Sequence, residues 1–441
     1  MLDLTKGNPD RVLVSFTMPM FISVIFQQLY NVADSLIAGK FAGEAALAAI
    51  GASYPITMIL MAFALGTGIG TMVIVSHLYG SRDYGRMKTA ISTILVTTIG
   101  LSMVLSLLAL KFSGLMLGAL NTPGNIFGDS QVYLDIYIYG FIFLFLYNIA
   151  TGIFNSIGDS KTPLYFLIAS SLGNIVLDYI FVAKFNLGVR GVALATLLAQ
   201  SISCILSLVT LRMRLGLIES PSYPRFSLDM LKDISIVAIP SIVQQSFISI
   251  GNIFIQARIN NFGSSTIAGF AAGNKLNTFI ITSFTTIGNA ISSFTAQNLG
   301  AGRGNRVRAG FKSGLKMAVT IGLAFFLLFF FMGDRLVGLF IKEGNLETIE
   351  IGHSFLKTVS LFYVVIAIKL TADGVLRGSK NMNKFMVATF TDLILRVVLA
   401  HVLSRSLGSM GIWISWPIGW IIGTVLSIIY YRQVIGDYIR A

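Results

Sequence analysis

Apolar runs about twenty residues long recur from end to end of this 441-residue chain, and a run of that length is what a helix needs to cross a bilayer. Barrel strands are excluded, because they need only about ten residues and alternate in polarity. Composition agrees: 55% of residues are hydrophobic and 12% charged, where soluble domains carry about 25% charged. The expected fold class is all-α integral membrane. Twelve spans are read near 12–38, 46–76, 89–112, 132–156, 162–184, 190–213, 234–259, 264–298, 310–332, 352–376, 383–406 and 410–432. The start, MLDLTKGNPDR, lacks a charged-then-apolar leader, so the first span itself is expected to direct insertion.

A net charge of +13 would suit nucleic acid if it were gathered in one patch. Instead Lys and Arg fall in alternate loops, among them Arg82 and Arg86, Arg212 and Arg214, Arg303 and Arg306, Arg377 and Lys380, and Arg432. That alternation orients spans in an inner or plasma membrane and places both termini in the cytoplasm. Membrane lipid is then the expected large partner, and nucleic acid is not one. Signals of enzyme chemistry are sparse. Cys204 lies inside an apolar run, and His77, His353 and His401 sit in separate segments, so no disulfide, metal or catalytic constellation is expected. The run GAGRGN at 300–305 lacks the Lys-Ser/Thr ending and the preceding strand of a phosphate-binding loop. No enzyme activity and no cofactor are expected.

One polar, proline-bearing stretch, 214–233, divides the chain, and what flanks it repeats. Pro19, Asn31 and Phe41 fall on Pro240, Asn252 and Phe262 at an offset of 221. Gly68, Gly80, Arg86, Thr151, Gly158, Gly188 and Gly191 fall on Gly288, Gly300, Arg306, Thr371, Gly378, Gly408 and Gly411 at an offset of 220. Residues 1–213 are therefore expected to form an N-lobe of helices 1–6, 214–233 a cytoplasmic linker, and 234–441 a C-lobe of helices 7–12. An even number of spans per copy gives both lobes the same orientation. They are expected to relate by a pseudo-two-fold axis along the membrane normal around a shared cavity, an arrangement suited to alternating access.

Polar residues inside the spans point to the site. The first span, FTMPMFISVIFQQLYNVADSLIAGKF, carries Gln27, Gln28, Asn31 and Asp34. An ionisable group there costs roughly 2.5–3.5 kcal/mol on insertion scales, so it is either functional or placed to reach headgroup water. The fifth span places Asn174 and Asp178 at i and i+4 on one helical face, and Thr196 comes early in the sixth. Given the spans' directions, Asp34, Asp178 and Thr196 are expected at one depth in the outer half of the membrane. Two carboxylates, an amide and a hydroxyl are oxygen ligands for a hard cation or a proton. Their second-half counterparts are Ile255, Ile394, Val398 and Trp416, so this constellation belongs to one lobe. With no Lys or Arg at that depth, the two acids cannot both stay ionised cheaply: one must hold a proton, or a cation must sit between them. The second half instead carries Lys369 with Asp373 and Asp392 with Arg396, each at i and i+4. These read as two neutralised intrahelical pairs, or as groups used in substrate binding or coupling.

QQLYNVADSLIAGKF, HLYGSRD, GIFNSIGDSKTP, NIVLDYIFV and LGVRGVALAT, taken in that order, resemble the multidrug and toxic compound extrusion (MATE) family of prokaryotic type. AIPSIVQQSFISIGN, AQNLGAGRGNRVR and VLRGSKN match its repeat, so the resemblance covers nearly the whole chain. It implies an antiporter that exports small-molecule drugs, often organic cations, in exchange for H⁺ or Na⁺. It also implies that the cation site uses Asp34, Asn174, Asp178 and Thr196. A fourth-span tyrosine joins them in the family; Tyr133 fits that role by spacing, with Tyr137 the alternative. Gln28, Asn31 and Tyr137 are implied to line the substrate cavity, with Asp373 a secondary candidate. The seventh span offers Gln244, Gln245 and Gln256 but no acid, a departure from the branch that uses a carboxylate there. The chain is expected to act as a monomer. A flippase for a lipid-linked saccharide is the alternative within the same superfold, and it would call for a strongly cationic cavity.

Overall fold

The computed structural model describes residues 2–341 and 345–440. The chain runs through α1 (Pro9–Ile37), α2 (Glu44–Gly80), α3 (Tyr84–Ala119), α4 (Gly124–Ser156), α5 (Lys161–Asp178) and α6 (Gly188–Gly216). The second half follows with α7 (Leu228–Ile259), α8 (Ser264–Gly300), α9 (Gly304–Gly338), α10 (Leu346–Ser360), α11 (Tyr363–Gly378), α12 (Met382–Leu407) and α13 (Ser409–Arg440). Among the described residues there is no strand. The chain is an all-α, multi-pass membrane protein.

Among the described residues ten helices are long and apolar enough to cross a membrane, and α10 with α11 makes an eleventh span bent by 54°. The span expected near 352–376 is broken at Leu361–Phe362. The twelfth rod is α8, whose 37 residues equal those of α2. It falls short on apolarity because it buries Asn277, Ser283, Thr286, Ser292, Thr295 and Asn298 against protein. Polar side chains that meet protein rather than lipid lower a helix's hydropathy without making it a worse span.

The repeat is physical. Helices α2 and α8 begin at Glu44 and Ser264 and end at Gly80 and Gly300, each pair 220 apart. Gly43 and Gly263, just before them, adopt the same conformation, φ 91° and ψ 172° against φ 89° and ψ 171°, open to glycine because it has no Cβ. Close helix crossings repeat as well. A Cβ on Gly68 would lie 3.1 Å from the Asn148 carbonyl oxygen of α4, and one on Gly288 would lie 2.7 Å from that of Leu370 in α11. Small residues at these points let the backbones approach, as membrane helices require in the absence of a hydrophobic drive between them.

The helices gather into two compact units, residues 1–3 with 18–246 and residues 4–17 with 247–441. These differ from a division at the 214–233 linker. In the first unit, residues up to 246 of α7 pack on α2: a Cβ on Gly66 would fall 2.4 Å from the Ile242 backbone nitrogen, and one on Gly70 2.7 Å from the Ala238 Cβ. In the second unit, Arg306 donates to the carbonyls of Lys6 and Gly7, each at 2.6 Å, and Leu4 donates its N–H to Gln297 at 3.2 Å. Within the first unit the centre is α2, two-thirds of whose apolar window is buried in protein; in the second, α9 buries only 17% of its window and presents the rest outward.

Candidate functional site

Helix α1 does not end cleanly after Asp34. Its last turn, Ala38–Ala42, widens to π-helical geometry, with the Gly43 N–H donating five residues back to the Ala38 carbonyl at 3.1 Å. Helix α5 does the same directly after Asp178, over Tyr179–Lys184, where Phe185 donates to the Ile180 carbonyl at 3.0 Å. Such widened turns are rare and often mark functional sites, because they turn one side chain out of the regular register. The two pack together: Ala38, Val182 and Val192 form a buried apolar cluster with Ala42, Ile50 and Tyr133, and Phe41 meets Tyr179 edge-on at 5.8 Å. This cluster fixes the helix ends that carry the two acids.

Asp178 is fully buried, and Asp34 is half-buried with one oxygen sealed from solvent. Their carboxyl groups lie close enough to interact directly. Two carboxylates are both acceptors, so a hydrogen bond between them would need a proton on one. One oxygen of each acid is buried without a hydrogen-bond partner, and among the described residues no ion pair involves either. Asn174 satisfies both ends of its amide when its Nδ2 donates to Asp178 Oδ2 at 2.8 Å and its oxygen accepts the Thr196 N–H at 3.1 Å. The opposite orientation would leave the amide oxygen facing acceptors only. Thr196 Oγ1 donates to the Val192 carbonyl at 3.0 Å. Tyr133 stacks with Tyr137 at 6.5 Å, and together with Thr196 and Gln200 they line a small cavity of about 10 Å³.

The structure thus brings Asp34, Asn174, Asp178, Thr196 and Tyr133 together in the first unit, with Tyr137 adjoining. It adds Tyr30, whose hydroxyl lies near the Thr196 side chain and beside both acids. Tyr30 stands one turn before Asp34, at i and i+4, so its spacing was a signal the sequence reading passed over. Gln28 is half-buried and Asn31 exposed; Asn31 bonds through its backbone carbonyl, which accepts from Ser35 at 2.8 Å. The oxygen-rich set of acids, amide and hydroxyls suits a proton or a hard monovalent cation.

Asp373 is not part of this group; it belongs to the second unit. There Lys369 donates to Asp373 at 2.8 Å and stands 3.5 Å from Asp392 on α12, while Ser427 donates to Asp373 at 2.6 Å. The charges are therefore not two intrahelical pairs: Lys369 links two helices. Arg396 lies over the Trp416 ring at 4.5 Å. Two glycines of α13 make room for the network: a Cβ on Gly419 would lie 2.7 Å from Asp392 Oδ1, and one on Gly423 would lie 2.6 Å from Lys369 Cε.

Comparison with known proteins gives a consistent answer. The MatE family model matches the chain twice, over residues 19–180 and 240–402, once in each copy of the repeat. A probable multidrug resistance protein YpnP of Bacillus subtilis (strain 168) is 29% identical over 98% of this chain and 96% of its own length. An FAD transporter of Shewanella oneidensis is 25% identical over 76% of this chain and 75% of its own. Among solved structures, an outward-facing multidrug resistance MATE family transporter of the MOP superfamily superposes with a TM-score of 0.93 at 24% identity, covering 100% of this chain and 99% of that one.

Proposed function

The chain belongs to the MatE family, whose members are transporters rather than enzymes, and we propose that it exports organic, often cationic, compounds in exchange for H⁺ or Na⁺ by alternating access. The observation that carries this reading is the packing together of the helix ends that bear Asp34 and the buried Asp178, with no ion pair to either acid among the described residues. A carboxyl pair of that kind holds one proton or one cation and releases it when the surroundings change. With both termini cytoplasmic, the pair takes its cation from the outer side, the cation-bound state favours release of the drug, and inward release of the cation resets the site. Each unit charge moved through the membrane potential supplies about 2.3 kcal/mol per 100 mV.

The test uses purified protein in liposomes loaded with a fluorescent organic cation, under a pH gradient or a Na⁺ gradient applied separately. Transport driven by one gradient and lost in Asp34→Asn identifies the coupling ion. Equal transport in Asp34→Asn removes this site from the coupling step and directs attention to Asp373. A second reading, transport of an anionic dinucleotide, has the support of the relative described as an FAD transporter, and FAD-loaded liposomes test it in the same assay. Failure of every soluble compound would favour a lipid-linked substrate instead.

A further inference from the structure

Far along the chain from the carboxyl pair, α9 and α13 enclose an open groove of about 610 Å³. Its walls follow helical periodicity. On α9 the lining residues are Arg308, Phe311, Lys312 and Leu315, and on α13 they are Ile428, Tyr431, Arg432 and Ile435. Spacings of three and four put each set on one face, so two amphipathic stripes face each other. The floor is apolar and rigid, because Phe311 and Tyr431 are buried and stack at 3.9 Å. The rim is cationic: Arg308, Lys312 and Arg432 are all exposed, and among the described residues none of them forms an ion pair. No acidic side chain lines the groove. Asp10 is hydrogen-bonded to Ser313 on the buried side of α9, and Asp437 lies one residue beyond the lining.

Depth decides what such a groove can hold. Arg308 and Lys312 follow the start of α9 at Gly304 by four and eight residues, and Arg432 precedes the end of α13 at Arg440 by eight. At about 1.5 Å per residue the three cations lie some 6–12 Å in from the helix ends, within the headgroup layer of a bilayer rather than in open water. A phosphate there meets three cations, and an acyl chain continues down the Leu315 and Ile428 walls. We propose that this groove is a binding site for one anionic phospholipid, held by its phosphate at Arg308, Lys312 and Arg432 and by an acyl chain over the Phe311–Tyr431 stack. The bound lipid would tie α9 to α13, and α9 is the helix whose Arg306 holds the backbone of Lys6 and Gly7.

The experiment is native mass spectrometry of delipidated full-length protein titrated with phosphatidylglycerol or phosphatidylcholine. One phosphatidylglycerol is expected to be retained with roughly a hundredfold preference over phosphatidylcholine, as three interfacial cations imply. The preference is expected to vanish in the triple variant Arg308→Gln/Lys312→Gln/Arg432→Gln, whose changes lie on exposed side chains, and to persist in Arg212→Gln/Lys161→Gln. Equal retention of the two lipids, or undiminished retention of phosphatidylglycerol by the triple variant, would overturn the proposal. Displacement of phosphatidylglycerol by millimolar inorganic phosphate would overturn it too, because the site would then be one for free phosphate.

Discussion

The two copies of one six-helix unit bury opposite faces of the same helix. In the first unit α5 buries Asn174 and Asp178, while Leu172 and Val176 are each 57% exposed. In the second, α12 buries Asp392 and Arg396, and the repeat-equivalents of the first-unit pair, Ile394 and Val398, are about half exposed. The buried i,i+4 pairs are thus 218 residues apart rather than 220, and two residues amount to about 200° around a helix. The end of the helix differs as well: α5 widens directly after Asp178, whereas α12 continues unbroken to Leu407. One fold therefore supports two electrostatic solutions. In one unit the acids face each other; in the other a lysine lies between acids on two helices. The first arrangement is the one proposed to exchange a proton or cation, and the second carries its counter-charge within the network.

That contrast can be broken at its strongest point first. Lys369→Met leaves Asp373 and Asp392 buried without their shared cation and is expected to destabilise the protein by about 3–5 kcal/mol, read as a lowered unfolding midpoint in detergent. Adding Asp373→Asn and Asp392→Asn should restore most of it. If Lys369→Met is instead as stable as wild type, the second network is not a structural clamp. Next comes Asp178→Asn, expected to lower gradient-driven transport by roughly 100-fold, a coupling of about 3 kcal/mol, with the fold intact. Val398→Ala, at the equivalent exposed position, should change transport by no more than about twofold. Equal losses at the two positions would erase the distinction between the units. The smallest effect is expected from Tyr30→Phe, which removes a hydroxyl beside Thr196 and should slow transport about fivefold, the size of one hydrogen bond of about 1 kcal/mol. Unchanged transport in a liposome flux assay would remove Tyr30 from the site.

Much of this was legible in the sequence because it depends on spacing. The offset of 220 locates the second copy, and the breaks in that offset at Asp34, Asn174, Asp178 and Thr196 locate the acids that the structure joins. Helical periodicity carries such information as far as one rod extends. It does not carry across rods: the i,i+4 spacing of Asp392 and Arg396 suggested an intrahelical pair, while Lys369 on α11 stands 3.5 Å from Asp392. Nor does periodicity report where a helix leaves its regular winding. The widened turns after Asp34 and Asp178 and the 54° break between α10 and α11 leave no mark in the local pattern of apolar residues. Asn31 stands three residues from Asp34, yet it is exposed while one Asp34 oxygen is sealed, a difference in depth that spacing alone does not carry.

The membership of the two units bears on how the protein is made. Residues 4–17 belong with helices that the ribosome produces last, and the segment of α7 up to residue 246 belongs with those it produces first. Neither unit is a continuous stretch of chain. After release of the first six helices, the first unit still lacks the strip of α7 that packs on Gly66 and Gly70, and the leading segment waits for Arg303 and Arg306. Biogenesis is therefore expected to end in a late exchange of partners, and cutting the gene in the 214–233 stretch would yield two fragments that complete each other only when both are present.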